Sequence, residues 1–223
     1  MATFVCWLFR GNDFDRRKVM TYTPAHVATL AAMLQRHGGH RLVCVSDMDV
    51  NVPGVRVIPM PRHVSALISY YPKLWAFSMQ FAEQIGERFA SIDLDVVVMG
   101  DLGPLLDEPG DFRIWDSARG QPYNSSFFVM DPGARWRVWE DFDQALAERV
   151  KSRYERWCGD QGWIAHVLGP DEAVFPESEG ELIRYRSREH QFGVPETAKA
   201  VFTCGPYRPD TLRHLHWVED HYR

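Results

Sequence analysis

The chain has 223 residues, of which 45% are hydrophobic and 25% are charged, and its formal net charge is −5. This balance is typical of a globular protein with a sizeable core, and it excludes general disorder. The acidic charge disfavours a protein that coats nucleic acid, because such binding depends on a basic surface. The strongly apolar run at 96–99 is too short to span a membrane.

The N-terminal residues 1–9 carry no basic residue before their apolar run, so no signal peptide is predicted. The four cysteines, Cys6, Cys44, Cys158 and Cys204, are scattered without paired spacing. This pattern is typical of reduced thiols rather than of a disulfide framework or a zinc site. Together these features predict a cytoplasmic protein.

The predicted elements alternate between strands and helices, which indicates an α/β fold. The predicted strands are 3–9, 41–46, 55–58, 88–99, 112–115, 126–130, 173–175, 182–185 and 200–202. The predicted helices are 24–37, 72–85, 102–106, 135–156, 159–168 and 211–222. No repeat or linker interrupts them, so we expect one α/β domain with a mixed central sheet flanked by helices.

The triplet Asp93-Leu94-Asp95 interrupts the apolar stretch 88–99. Residues two apart on a strand share a face, so both carboxylates are expected to point to the open end of the sheet, where α/β folds bind ligands. Adjacent carboxylates repel each other, and Mg²⁺ or Mn²⁺ relieves this repulsion while also binding substrate phosphates. The alternative is a solvated turn with two acidic residues.

Three further polar segments are candidates for binding. Asp160 and Gln161 lie between two glycines at a predicted helix start, where a ligand can approach the backbone closely. The alternative is that Asp160 only caps the helix. Asn124 and Ser125 precede an apolar strand and can bind a sugar hydroxyl or form an Asx turn. Lys73 begins a helix, where the dipole opposes its charge, so we expect a phosphate or the acidic pair beside it. The alternative for Lys73 is an exposed lysine.

The order of these segments resembles that of the nucleotide-sugar glycosyltransferases of GT-A fold, in particular the glycogenin-type, family 8-like enzymes. The resemblance runs from Phe4 to the chain end, and its more specific parts are the D-x-D triplet and the later G-D-Q-G segment. The first helix and the C-terminal residues also resemble small phage-encoded glycosyltransferases. The resemblance implies one GT-A domain over 1–223, with a nucleotide-binding half at about 1–100 and an acceptor and catalytic half at about 101–223.

The resemblance also implies residue roles. Asp93 and Asp95 are implied to hold Mn²⁺ or Mg²⁺ on the nucleotide diphosphate, and Lys73 to reach the donor sugar and Asp93. The donor sugar is implied to contact Asn124 and Ser125, with Asp160 and Gln161 under its anomeric carbon. The base and ribose are implied to lie near Phe9, Arg10 and Asn12.

One departure concerns the metal. The glycogenin-type enzymes carry a histidine as third metal ligand at the position of Phe202. A phenyl ring cannot ligate, so the ion is expected to have two protein ligands, to take help from His214 or His216, or to bind weakly. Arg208 keeps a positive charge whose planar fork suits a diphosphate, so it is expected to share in stabilising the leaving group.

The sequence therefore predicts a metal-assisted glycosyltransferase that uses a nucleotide-diphosphate sugar, with a UDP-sugar favoured and retention implied. If Asp160 instead reaches the acceptor hydroxyl, it is a general base and the reaction inverts. The alternatives are a nucleotide-sugar binding protein without turnover, and a nucleotidyltransferase or phosphatase, which the lack of a glycine-rich phosphate loop disfavours.

The acceptor is open among a polysaccharide, a protein, a small molecule and a modified DNA base. The acidic net charge disfavours DNA. A polyanionic acceptor is nevertheless compatible with the closely spaced Arg184, Arg186 and Arg188. The alternative is that these arginines form a solvated strand edge.

Overall fold

The computed structural model describes residues 1–10, 22–116, 123–153, 159–203 and 207–223. In chain order the described strands are β1 (Thr3–Leu8), β2 (Arg41–Ser46), β3 (Arg56–Pro59), β4 (Phe89–Ile92), β5 (Val96–Val98), β6 (Phe112–Asp116), β7 (Tyr123–Met130), β8 (Val174–Phe175), β9 (Leu182–Arg184) and β10 (Ala200–Phe202). Among these, seven form one sheet in the order β3-β2-β1-β4-β7-β6-β8, and three form a small sheet in the order β5-β10-β9.

The large sheet is mixed, as the sequence predicts. Strands β3, β2, β1 and β4 are parallel, whereas β7 is antiparallel to both β4 and β6. Parallel neighbours end at the same edge of a sheet, so the carboxyl ends of β1, β2 and β4 meet there. Because β7 runs in the opposite direction, it begins at that same edge.

Nine α-helices lie in the described residues. They are α1 (Pro24–Arg36), α2 (Arg62–Ser65), α3 (Met79–Ile85), α4 (Gly103–Leu106), α5 (Arg137–Glu140), α6 (Gln144–Arg153), α7 (Gly159–Leu168), α8 (Ser187–His190) and α9 (His216–His221). A 3₁₀ helix, Tyr71–Phe77, precedes α3, and two shorter ones are Glu177–Glu179 and Pro209–Leu212.

Strand β1 lies inside the large sheet, between β2 and β4, and is buried on both faces. Phe4, Cys6 and Leu8 pack into a core that includes α1 and the small sheet. Val5 and Trp7 pack into the core on the other face, which includes the 3₁₀ helix Tyr71–Phe77. Successive side chains of a strand alternate between faces, and both faces are covered, which explains why the strand reads as a continuous apolar run.

The stretch 88–99, predicted as one strand, is two strands in two sheets. Strand β4 ends at Ile92, and β5 begins at Val96 and pairs with β10 in the small sheet. Asp93 and Asp95 therefore lie in the irregular connection between the sheets. The prediction that they share one face of a strand was wrong, because the chain changes sheets at this point.

Two predicted helices are also interrupted. The helix 72–85 is a 3₁₀ helix followed by α3, because Ser78 is extended and its hydroxyl accepts a hydrogen bond from the Phe81 N–H. The helix 135–156 is divided into α5 and α6 after Glu140. By contrast, α7 has the bounds that the sequence predicts.

Within the described ranges, no helix is long and apolar enough to cross a membrane. Cys6 and Cys44 lie opposite each other on β1 and β2 and are buried, unbridged thiols, as predicted. Cys158 and Cys204 lie outside the described residues. The division of the chain into a nucleotide-binding and an acceptor half stays a prediction.

Candidate active site

The predicted site residues come together at the sheet edge where β4 ends and β7 begins. Asp93 directly follows β4, and its N–H donates to the carbonyl oxygen of Ser126 at 3.0 Å. Asn124 and Ser125 are the second and third residues of β7, and both are buried. The antiparallel pairing of β4 with β7 thus places the acidic segment beside the Asn-Ser segment.

Lys73 is the centre of a buried charged group. Its Nζ lies 2.6 Å from Asp93 Oδ1, 3.5 Å from Asp160 Oδ2 and 3.3 Å from the carbonyl oxygen of Ser125. Its side chain is only 7% exposed, so the alternative of an exposed lysine was wrong. Burial lowers the pKa of Lys73, but the charges of Asp93 and Asp160 outweigh burial and raise the pKa above its usual value. We call Lys73, Asp93, Ser125 and Asp160 the Lys73 cluster.

Asp160 is held inside this cluster. It lies in the first turn of α7 and is 2% exposed, and its Oδ2 accepts a 2.7 Å hydrogen bond from the Ser125 hydroxyl. Burial raises the pKa of Asp160, although Lys73 and the Ser125 hydrogen bond act in the opposite direction. The carboxylate therefore links α7 to β7 and to the 3₁₀ helix that carries Lys73.

Gln161 and Asn124 are in direct contact beside the Lys73 cluster. Gln161 Nε2 donates to Asn124 Oδ1 at 3.2 Å, and the same oxygen accepts from the Ser126 N–H at 3.0 Å. The second contact is the local Asx-type hydrogen bond that was the alternative for this segment. The Asx interpretation is therefore confirmed, and the same bond orients the Asn124 amide toward Gln161, whereas binding of a sugar hydroxyl stays a prediction.

Asp95 differs from Asp93 because one of its oxygens has no partner. Its Oδ1 is shielded from solvent and makes no hydrogen bond within the described part of the chain. The backbone carbonyl of Asp95 accepts from the N–H and the hydroxyl of Thr203, which fixes the segment to β10. Burial and the charge of Asp93 raise the pKa of Asp95 to about 7, against the opposing charges of Lys73 and Arg184.

The base-binding residues predicted at the end of β1 lie at the same edge. Phe9 is half-buried, and the N–H of exposed Arg10 donates to Asp47 Oδ1 at 3.0 Å. Asp47 follows β2, and sequence reasoning missed it, although its place after a predicted parallel strand was a usable signal. Asn12 lies outside the described residues.

Tyr22 is a second residue that sequence reasoning missed. The Arg208 guanidinium lies 5.3 Å from its ring centre, and its hydroxyl is buried without a hydrogen-bond partner in the described ranges. Burial and the charges of Asp95 and Asp93 raise the pKa of Tyr22. Tyr22 therefore contacts Arg208, and no local motif indicates this contact.

The described residues supply only two acids for a metal. Phe202 is buried, and its ring centre lies 4.8 Å from that of Trp115, which agrees with a packing role. His214 and His216 are exposed. No group of three or more His, Cys, Asp or Glu side chains capable of holding a metal occurs in the described residues, so neither histidine completes a site with the two aspartates.

Sequence comparisons give no match, either to a protein-family model or to a curated protein. Solved structures do match in fold. The galactosyltransferase LgtC, solved with donor and acceptor sugar analogues, is 12% identical and aligns over 99% of this chain and 96% of its own, with a TM-score of 0.60. GlyE of Streptococcus pneumoniae TIGR4 is 12% identical over 94% of this chain and 56% of its own, with a TM-score of 0.59.

Mouse xyloside xylosyltransferase 1 is 11% identical over 91% of this chain and 97% of its own, with a TM-score of 0.54. The chain has the GT-A-like fold of these glycosyltransferases. The predicted fold is therefore confirmed, and the resemblance stated from the sequence holds at the level of the fold. The likeness to phage-encoded enzymes stays a prediction.

Proposed function

We propose that this protein is a glycosyltransferase that moves a sugar from a nucleotide-diphosphate donor, with a UDP-sugar favoured, to an acceptor hydroxyl or amine. The observation that carries the proposal is the buried Lys73 cluster together with Asp95, whose Oδ1 has no hydrogen-bond partner among the described residues. Strongly perturbed acids at the ligand-binding edge of an α/β sheet are candidates for function rather than for stability.

We propose that Asp93 and Asp95 hold Mn²⁺ or Mg²⁺ together with the donor diphosphate. Two carboxylates form an incomplete set of hard oxygen ligands, and such ions commonly complete their coordination with substrate phosphates and water. The shielded Oδ1 of Asp95 fits this role, because it has no other partner among the described residues. When bound, the ion would neutralise the charge that develops on the departing diphosphate.

The polar residues of the site would position the donor sugar. Asn124 and Gln161 present a fixed amide pair next to the Lys73 cluster. Lys73 already hydrogen-bonds Asp93, so it would orient that carboxylate and place a positive charge by the sugar. Arg208 and Tyr22 would approach the diphosphate from the side of α1.

In the reaction we propose, the bond between the anomeric carbon and the diphosphate oxygen breaks. A bond from the acceptor oxygen or nitrogen to that carbon forms, and the acceptor proton leaves to a diphosphate oxygen. Asp160 is a poor general base in this scheme, because Ser125 and Lys73 already hold its carboxylate. Its buried contacts favour a positioning role and therefore retention over inversion.

The test is release of UDP from a panel of UDP-sugars incubated with Mn²⁺, measured with and without candidate acceptors. We expect slow donor hydrolysis by the unmodified protein and about a 100-fold loss for Gln161→Ala, since positioning groups contribute two or more orders of magnitude. Glu83→Gln, which changes an exposed side chain on α3, is the matched control and should retain the full rate.

Two results would contradict the proposal. Donor binding without any hydrolysis or transfer would favour a nucleotide-sugar binding protein. Incorporation of a nucleotide into product, with release of pyrophosphate, would favour a nucleotidyltransferase. The acceptor stays open among a polysaccharide, a protein, a small molecule and a modified DNA base, and a cytoplasmic location stays part of the proposal.

A further inference from the structure

Arg184 is separated from the acidic pair in sequence but lies near it in the small sheet. It pairs with Phe202 in the parallel ladder of β9 and β10, and Phe202 pairs with Val96 in the antiparallel ladder of β10 and β5. Val96 directly follows Asp95. Arg184, Phe202 and Val96 therefore form a row across three adjacent strands, and Asp95 is the chain neighbour of the last residue in that row.

A second set of contacts brings Arg184 to the same place. Its guanidinium carbon lies 5.6 Å from the ring centre of Trp115, which also packs against Phe202. Trp115 lies opposite Asn124 in the pairing of β6 with β7. The Arg184 guanidinium thus packs on the ring of Trp115, and the residue opposite Trp115 on the neighbouring strand is Asn124, which is predicted to bind the donor. The charge of Arg184 also acts on Asp95, as described above.

The neighbouring arginines are placed differently. Arg186 forms an ion pair with Glu177 at 2.7 Å and a longer one with Glu189 at 3.5 Å, and Arg188 is exposed on α8. Arg184 lies over the ring of Trp115, and its charge acts on the Asp95 carboxylate. A guanidinium in such a setting is well suited to bind a phosphate through its planar fork of N–H donors.

We propose that Arg184 binds the diphosphate of the donor and reduces the dependence of nucleotide binding on a divalent ion. This inference rests on the proposed function. The positive charge near Asp95 attracts the diphosphate and repels a second cation, so Arg184 would strengthen nucleotide binding while it weakens binding of the metal alone. Phe202, in the same cross-strand row, provides no ligand atom that would offset this effect.

The test measures two affinities by calorimetry, UDP without metal and Mn²⁺ without nucleotide, for the unmodified protein, Arg184→Gln and Arg188→Gln. For Arg184→Gln we expect UDP binding to weaken about tenfold or more, since a charge-assisted hydrogen bond is lost, and Mn²⁺ binding to tighten about threefold. Arg188→Gln makes the same change in net charge and should leave both affinities within about twofold. Arg184→Lys should restore part of the UDP affinity.

Opposite changes in the two affinities support the inference, because a merely structural role does not move them in opposite directions. Unchanged affinities in Arg184→Gln, or equal weakening of both with a lower Tm, overturn it and leave the proposed function intact. If the unmodified folded protein binds no UDP with or without Mn²⁺, the proposed function fails and this inference fails with it.

Discussion

Two charged clusters lie at opposite edges of the large sheet, and they are built differently. The Lys73 cluster lies where β4 ends. The other, which we call the Arg135 cluster, lies where β4 begins and contains Arg88, Asp111, Asp131, Arg135 and Glu172. Arg135 makes a two-point contact with Glu172, at 2.6 and 2.9 Å, and contacts Asp111 at 3.0 Å.

The acidic residues Asp111 and Asp95, which lie at these opposite edges, have pKa shifts of opposite sign. The hydrogen bond from Arg135 lowers the pKa of Asp111, as expected when pairing favours the charged form. Burial and the charge of Asp93 instead raise the pKa of Asp95 to about 7. A buried, unfavourable charge in a protein whose other charged cluster is well paired is a candidate for ligand binding. We therefore assign the Arg135 edge to the stability of the fold and propose the Lys73 edge as the binding edge.

The largest expected effect is that of Lys73→Met. This change leaves buried carboxylates uncompensated, so we expect the free energy of unfolding to fall by roughly 3 kcal/mol and UDP binding to be lost. Chemical denaturation and calorimetry measure these quantities. Lys199→Met, which breaks a more exposed ion pair with Glu181, is the matched control and should cost at most about 1 kcal/mol. Equal losses of unfolding free energy and of UDP binding in the two variants would contradict the proposed difference between the Lys73 cluster and an ordinary ion pair.

Arg135→Ala should separate stability from binding. It removes the two-point contact with Glu172 and the contact with Asp111, so we expect the free energy of unfolding to fall by about 2 kcal/mol. UDP affinity, measured well below the lowered Tm, should change by less than about twofold. A large loss of UDP affinity in the folded variant would show that this edge also serves binding.

Asp95→Asn should stabilise the ligand-free protein. It removes one of two repelling charges, so we expect a gain of roughly 1 kcal/mol or more in the free energy of unfolding near pH 7. Denaturation without metal or nucleotide measures this gain. Asp111→Asn is the matched control and should destabilise, since it removes a partner of Arg135. Destabilisation by both variants would contradict the assignment of Asp95 to binding.

The smallest expected effect is on the pH dependence of stability. The pKa of Asp95 is about 7 when folded and close to 4 when unfolded, so the folded state binds more protons between these values. Its contribution to the free energy of unfolding should therefore decrease as pH rises from about 4 to about 7. We expect the difference in stability between Asp95→Asn and the unmodified protein to grow over this range, and a constant difference would contradict it.

The sequence was sufficient where a local signal decides the structure. Thr23 and Pro24 define the start of α1, and Gly159 opens α7 at the predicted position. In these two cases a short segment contains both the cause and the consequence. The position of Lys73 at a helix start predicted only that an anion lies beside it, and the contact with Asp93 was implied by the family resemblance.

The rest depends on tertiary pairing. The break of 88–99 follows from a change of sheet, which the apolar run does not reveal. Tyr22 contacts Arg208, and Arg184 contacts Trp115, and in both pairs the partner is distant in sequence. Strand β9 has only three residues. Its sequence therefore does not identify which of Arg184, Arg186 and Arg188 packs against Trp115.

The most direct measurement is a calorimetric titration of UDP, with and without Mn²⁺, into the unmodified protein, Asp95→Asn and Glu83→Gln. We expect the unmodified protein and Glu83→Gln to bind UDP more tightly with Mn²⁺ than without it. Asp95→Asn should lose this increment while keeping the metal-independent binding. No UDP binding by the folded, unmodified protein under either condition would contradict the assignment of the Lys73 edge as a donor site.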